Sequence, residues 1–223
     1  MKTGKIFYTE AAYAAGLTAL AMSSALMEAA DFGMSMVVAP AYLVYRKLSM
    51  TFPFVTFGMS EYLFQALLLT VLILVLRRFR VRYLFSFVTA VLYGFLLDGC
   101  IRLTAFIPAG SLAVRILLYA AGLIVGAMGV SLLFHTYLSP EVYELFVREI
   151  AEKYGFQTHR VKMCYDCASC LLAVVLSFAF FGFGHFEGIK FGTILCALVN
   201  GWMIGRWTRL LEAKFEFRDR FRK

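Results

Sequence analysis

The chain has 223 residues, 61% of them hydrophobic and only 16% charged, with 23 phenylalanines and a mean hydropathy of +0.77. Soluble domains hold apolar residues to about half and charged ones to about a quarter, which excludes a soluble enzyme and indicates a membrane protein. The formal charge of +8 would suggest nucleic acid as a partner only if it gathered on a soluble face.

Apolar runs long enough for a bilayer, roughly 20 residues of helix each, recur along the chain near 9–30, 60–76, 83–102, 113–136, 164–183 and 189–209. The first run follows Lys2 and Lys5 as a signal peptide would, but it is long and five more follow, so it reads as a retained helix. Its spacing of Ala11, Ala15 and Ala19 offers a small-residue face for close packing. Behind it, SMVVAPAYLVYRKLS (35–49) is apolar enough to dip into the bilayer, with Pro40 expected to kink it. The counterpart after the fourth run, PEVYELFVREIAEKYG (140–155), sets Val142, Leu145, Phe146 and Ile150 opposite Glu141, Glu144, Arg148 and Glu152. That amphipathic pattern predicts a helix along the membrane surface, capped by Ser139. The tail LLEAKFEFRDRFRK (210–223) reads as a continuation of the last helix.

Placing both termini in the cytoplasm leaves only Arg46, Lys47, Arg102, Arg115 and Lys190 on the outer side, with the other basic residues inside. This is the asymmetry of a bacterial inner membrane protein, and no nucleic acid is needed to explain the charge. Membrane lipid is the expected surroundings.

The chain also matches itself. SEYLFQALLL (60–69) lies on YDCASCLLAV (165–174), and SFVTAVLYGFLL (86–97) on TILCALVNGWMI (193–204), at offsets of 105 and 107. Gly33-Met34 falls similarly on Ser139-Pro140. The expected fold is therefore an all-α polytopic membrane protein of six transmembrane helices. They form two three-helix repeats, 1–106 and 107–223, with an interfacial or re-entrant helix after the first span of each. Three spans per repeat put the second copy in inverted topology, the plan many secondary transporters use to build two gates around one site.

These features resemble the bacterial YczE/YitT-like family of integral membrane proteins. The turn after the first span stands here as Gly33-Met34-Ser35 and Leu138-Ser139-Pro140, and the glycine of the third span as Tyr93-Gly94 and Asn200-Gly201. The soluble C-terminal domain of YitT is absent, which favours the YczE side. The resemblance implies a fold and carries over no active-site residue.

Charged groups inside spans are costly and usually face the bundle interior. Glu61 and Asp166 occupy equivalent positions in the two repeats, each with a partner one turn deeper, Gln65 and Cys170. Such a pair can bind a cation or exchange protons with a cationic substrate. Both also stand near helix starts, where acids are favoured by the helix dipole alone. Glu28 joins these candidates for a substrate or ion site, as do Tyr93 and Asn200, which precede the glycine of each third span.

Cys164, Cys167 and Cys170 are candidate soft-metal ligands, but no second cluster completes a zinc site. A redox pair at Cys164 and Cys167 is the alternative, and inert buried thiols are the bland one. No cofactor is predicted, and no phosphate loop or HExxH zinc arrangement appears, so an enzyme is the less favoured class. The expected function is a small secondary transporter of an unidentified small molecule, cationic and proton- or cation-coupled in its sharpest form. The alternatives are a substrate-binding subunit of a multicomponent transporter, its first helix docking a coupling subunit, or a membrane accessory or thiol-dependent protein. A homodimer is compatible with each.

Overall fold

The computed structural model describes residues 5–220. Six long helices match the six apolar runs: α1 (Thr9–Ala30), α3 (Phe57–Leu76), α4 (Arg82–Thr104), α5 (Leu112–Phe134), α7 (Thr158–Phe181) and α8 (Phe191–Lys214). Two short helices lie between them, α2 (Ala39–Ser49) and α6 (Val142–Tyr154). Two four-residue strands, β1 (Lys5–Tyr8) and β2 (Phe215–Arg218), complete an otherwise all-α chain. Four of the helices, α3, α4, α5 and α7, are both long and apolar enough to cross a membrane. The other two have the length but a more polar composition: α1 is rich in Ala and Ser and carries Glu10 and Glu28, and α8 ends in Arg206, Arg209, Glu212 and Lys214.

The centre of the bundle is the pair α1 and α5. Helices approach this closely only where side chains are small, and α5 supplies Gly122, Gly126 and Gly129. A Cβ added at Gly129 would stand 2.8 Å from the Gly16 carbonyl oxygen, and one at Gly126 would stand 2.5 Å from Ser23 Oγ. Ser23 donates to the Gly122 carbonyl at 2.7 Å across the seam. The face of α1 that packs is thus Ala12, Gly16, Ala19 and Ser23, whereas Ala11 and Ala15 of the expected alanine face are exposed. The two faces differ by one residue in register, and the glycines of α5, not the alanines of α1, decide which is buried.

Around this pair, α4 packs on α1 and α8 on α5; α2 packs on α3 and α7, and α6 on α7 and α3. The contact of α3 with α4 is tight, since a Cβ at Gly94 would lie 2.8 Å from the Gly58 carbonyl oxygen. No comparable packing joins α7 to α8 among the described residues, and nothing lies within 4 Å of where a Cβ at Gly201 or Gly205 would stand.

The two short helices depart from expectation. At the end of α5, His135 stacks on Phe217 with centroids 4.2 Å apart, level with the end of α8. The loop after it turns into the bundle, where the Ser139 carbonyl accepts from Thr89 Oγ1 at 3.1 Å and Val142 N–H donates to Gln65 Oε1 at 3.1 Å. Gln65 is eleven residues before the end of α3, a depth of about 16 Å at 1.5 Å per residue. From there α6 runs back alongside α3, reaching Tyr83 at Glu149 and the Val75 carbonyl at Lys153.

The segment 135–154 is therefore re-entrant and does not lie along the surface. Its pattern misleads because the face of Val142 and Leu145 also carries Glu149, which is wholly buried inside the protein, and Val142 and Leu145 pack on Leu69, Leu72 and Ala90. Ser139 does not cap the helix; Glu141 stands at the N-cap without a side-chain cap bond. Pro40 likewise starts α2 in its first turn and does not kink it, a position where the missing N–H costs nothing.

The tail does not continue α8 as a helix. Phe215 and Phe217 alternate with Glu216 and Arg218, and this period-two pattern gives strand β2, paired in parallel with β1 from Lys5↔Phe215 to Tyr8↔Arg218. Phe7 sits against both phenylalanines at 5.3 and 5.8 Å. Lys2, Arg222 and Lys223 of the charge pattern lie outside the described residues.

The seam predicts a contrast between two glycines. Gly129→Val should lower the melting midpoint in detergent by several degrees, the cost of overpacking being about 1–3 kcal/mol. Gly201→Ala, with open space around it, should leave the midpoint unchanged or raise it slightly.

Candidate functional site

The re-entrant turn delivers the N-terminus of α6 to a polar cluster inside the bundle. Glu61 on α3 is fully buried, as are Gln65 one turn below it and, nearly so, Glu141 and Tyr143 at the start of α6. Tyr143 donates its hydroxyl proton to Glu61 Oε1 at 2.7 Å. Gln65 Nε2 donates to Glu61 Oε1 and to Glu141 Oε2, each at 3.3 Å, so two carboxylates share one amide. Glu61 Oε2 and Glu141 Oε1 have no hydrogen-bond partner among the described residues, and neither has Ser60 Oγ beside them in the chain.

Two adjacent carboxylates without a cationic partner cannot both be ionised in a dry interior, because an uncompensated buried charge costs several kcal/mol. The like charge of the neighbour adds to that cost. A proton or a cation would therefore stabilise the pair. The open end of α6 favours the remaining negative charge, since its first N–H groups and dipole point at the cluster.

Ionisable groups continue on both sides of this pair. Glu144, one turn along α6 from Glu141, accepts from Lys162 Nζ at 2.9 Å, and Lys162 also lies 3.5 Å from Asp166 Oδ1. Toward the other end of the bundle, Asp98 on α4 caps the start of α3, accepting from Thr56 Oγ1 at 2.6 Å and Gly58 N–H at 2.8 Å. Glu28 lies beyond it at the mouth of a cleft.

Of the residues expected to form a site, Glu61 and Gln65 are thus brought together. Asp166 is separate from them in its contacts, half-buried and engaged by Lys162. Cys170 is half-buried on α7, while Cys164 and Cys167 are exposed. Among the described residues no three His, Cys, Asp or Glu side chains gather as metal ligands would. Tyr93 is buried and bonded to Ser24 at 2.8 Å, and Asn200 is half-buried on α8. Glu141 and Tyr143, absent from the expected set, are hidden in sequence by the amphipathic pattern of 140–155. The signal that points to them is Ser139-Pro140, which breaks the chain between α5 and a helix too short to span.

At the terminal end of α6, Glu149 is fully buried among Arg78, Arg80, Arg82 and the Tyr83 hydroxyl, which donates to it at 2.7 Å. Burial opposes its charge, but Tyr83 and the arginines outweigh that and hold its pKa below the ordinary carboxylate value. This clamp fixes α6 to the α3–α4 turn.

A bundle of long helices, four of them long and apolar enough to cross a membrane, is the build of a multi-span membrane protein and is consistent with transport. The chain belongs to a family of unknown function, DUF6198, which it matches over residues 7–209. No curated protein and no solved structure matches it.

Because the pKa of Glu149 is depressed, its contribution to stability is present above the ordinary value of 4.5 and is lost as pH falls through the lower folded value. Acidification below about pH 4 should therefore loosen α6, read as amide hydrogen exchange over 142–154 faster than the change in intrinsic rate accounts for. Glu149→Gln should show that faster exchange already at pH 7, with a weaker response to acid.

Proposed function

We propose that this chain is a small secondary transporter working by alternating access, with Glu61, Gln65 and Glu141 as its proton- or cation-coupling site. The reading includes six spans in two inverted repeats, 1–106 and 107–223, and both termini on the cytoplasmic side of a bacterial inner membrane. It also retains the kinship with the YczE/YitT-like family. The observation that carries it is the Glu61–Glu141 pair: two buried carboxylates sharing one amide, each with a free oxygen, at the end of a half-helix. A purely structural polar contact would satisfy its oxygens.

The packing supports the repeat. The contact of α1 with α4 is matched by α5 with α8, that of α2 with α3 by α6 with α7, and that of α2 with α7 by α6 with α3. The match fails at two pairs: α3 with α4 is closed at Gly58 and Gly94 while α7 and α8 stand apart, and α4 touches α6 while α8 makes no comparable contact with α2 among the described residues. Two copies of one unit held in different arrangements are what a two-state gate requires. Ala11 and Ala15, on the face expected to dock a coupling subunit, are exposed, and α5 packs on the neighbouring face.

Protonation of the pair would release a bound cation, and its deprotonation on the other side would recapture one. Asp166, Lys162 and Glu144 lie on the terminal side of the pair as a route for protons.

Reconstitution in vesicles containing a pH-sensitive dye tests the coupling. A gradient of butyltrimethylammonium, which cannot cross as a free base, should drive opposite proton movement in the wild-type chain. Glu61→Gln or Glu141→Gln should slow it at least tenfold. Equal proton movement in both variants would remove the pair from the mechanism.

A further inference from the structure

At the end of the bundle remote from the strands, a cleft of about 470 Å³ opens between the end of α1, α2, the end of α4 and the loop before α8. That volume is within the range of small-molecule sites. Its charged lining consists of Glu28, Asp31, Arg46, Glu187 and Lys190.

Two of the three acids are already neutralised. Asp31 pairs with Lys190 at 2.6 Å and with Arg115 at 3.1 Å. Glu187 pairs with Arg46 at 3.0 Å and has His185 at 3.6 Å. The Glu28 carboxylate, half-buried on α1, makes no hydrogen bond or ion pair among the described residues. Arg46 faces it as well as Glu187 but is held on the latter. Asp98, the nearest acid on α4, is turned onto the start of α3. Glu28 is therefore the one acid of the lining with no salt-bridge partner among the described residues, beside Tyr42 and the apolar side chains of Ile101 and Ile107.

We propose that this cleft binds a small organic ammonium ion, its charged head beside Glu28 and Tyr42 and its apolar body against Ile101 and Ile107. A half-buried carboxylate attracts a cation more strongly than a fully exposed one does. An inorganic cation would gain nothing from the apolar wall, and an anion would meet the unpaired Glu28. The proposal names the class of cargo for the transport reading; binding in the cleft stands apart from that reading, and only the passage of the bound ion across the membrane rests on it.

The test is the melting midpoint of the purified full chain in neutral detergent at pH 8, titrated with butyltrimethylammonium and compared with sodium and butyrate. The expected result is a saturable rise with butyltrimethylammonium alone, requiring at least tenfold more ligand in Glu28→Gln. Ala105→Trp, which fills the cleft with Glu28 in place, should abolish the rise and decides the matter if Glu28→Gln fails to fold. No saturable rise in the wild-type chain would overturn the proposal, as would an equal rise with sodium or butyrate or one undiminished in both variants. Glu61→Gln should keep the rise while losing coupled flux. Binding without flux in the wild-type chain would count against the transport reading and leave the cleft assignment standing.

Discussion

The architecture depends on how closely α1 and α5 can approach. With Gly16 against Gly129 and Ser23 against Gly126, the two backbones meet with little side chain between them, and α4 and α8 pack on this pair. In lipid no hydrophobic force drives helices together, so packing and interhelical hydrogen bonds must do so. The Ser23 bond to the Gly122 carbonyl supplies one such bond at the centre of the contact. A pair this tight leaves room on its flanks for the half-helices, which is where the polar chemistry is found.

Irregular backbone is tolerated at membrane depth only where protein surrounds it. The turn into α6 meets that condition: Thr89 satisfies the Ser139 carbonyl, and Gln65 satisfies the Val142 N–H. Gln65 thus serves twice, closing the open end of a helix with its oxygen and linking two carboxylates with its nitrogen. The same side chain couples the local structure of α6 to the protonation of Glu61 and Glu141, so a change in one must be felt by the other.

Much of this is legible in the residues. Long apolar runs mark the six long helices, four of them to within three positions and α7 and α8 with one end five or six residues off, because apolar length is a local property. Glu61 with Gln65 stands out because a carboxylate and an amide one turn apart in an apolar run have few other uses. The course of 135–154 is not legible, since an amphipathic stripe marks residues that share a face without saying what that face meets, and here the face of Val142 and Leu145 also carries Glu149, covered by Tyr83 and three arginines. The packing face of α1 misleads for a related reason: Ala11 and Ala12 are alike in isolation, and the glycines of α5 make the choice. The spacing Gly122, Gly126, Gly129 is the signal that reveals it. Strand β2 escapes notice because four residues of alternation are easily absorbed into the helix before them.

The parallel pairing of β1 with β2 has a consequence for assembly. The two strands flank all eight helices in sequence, so β1 leaves the ribosome long before its partner exists and must wait, unpaired, while the helices insert. Its hydrogen bonds form only after α8 is in place, which makes the small sheet a seal on a completed bundle. A chain stalled or truncated before Phe215 would leave β1 without its partner strand, an exposed edge that a quality-control protease can recognise.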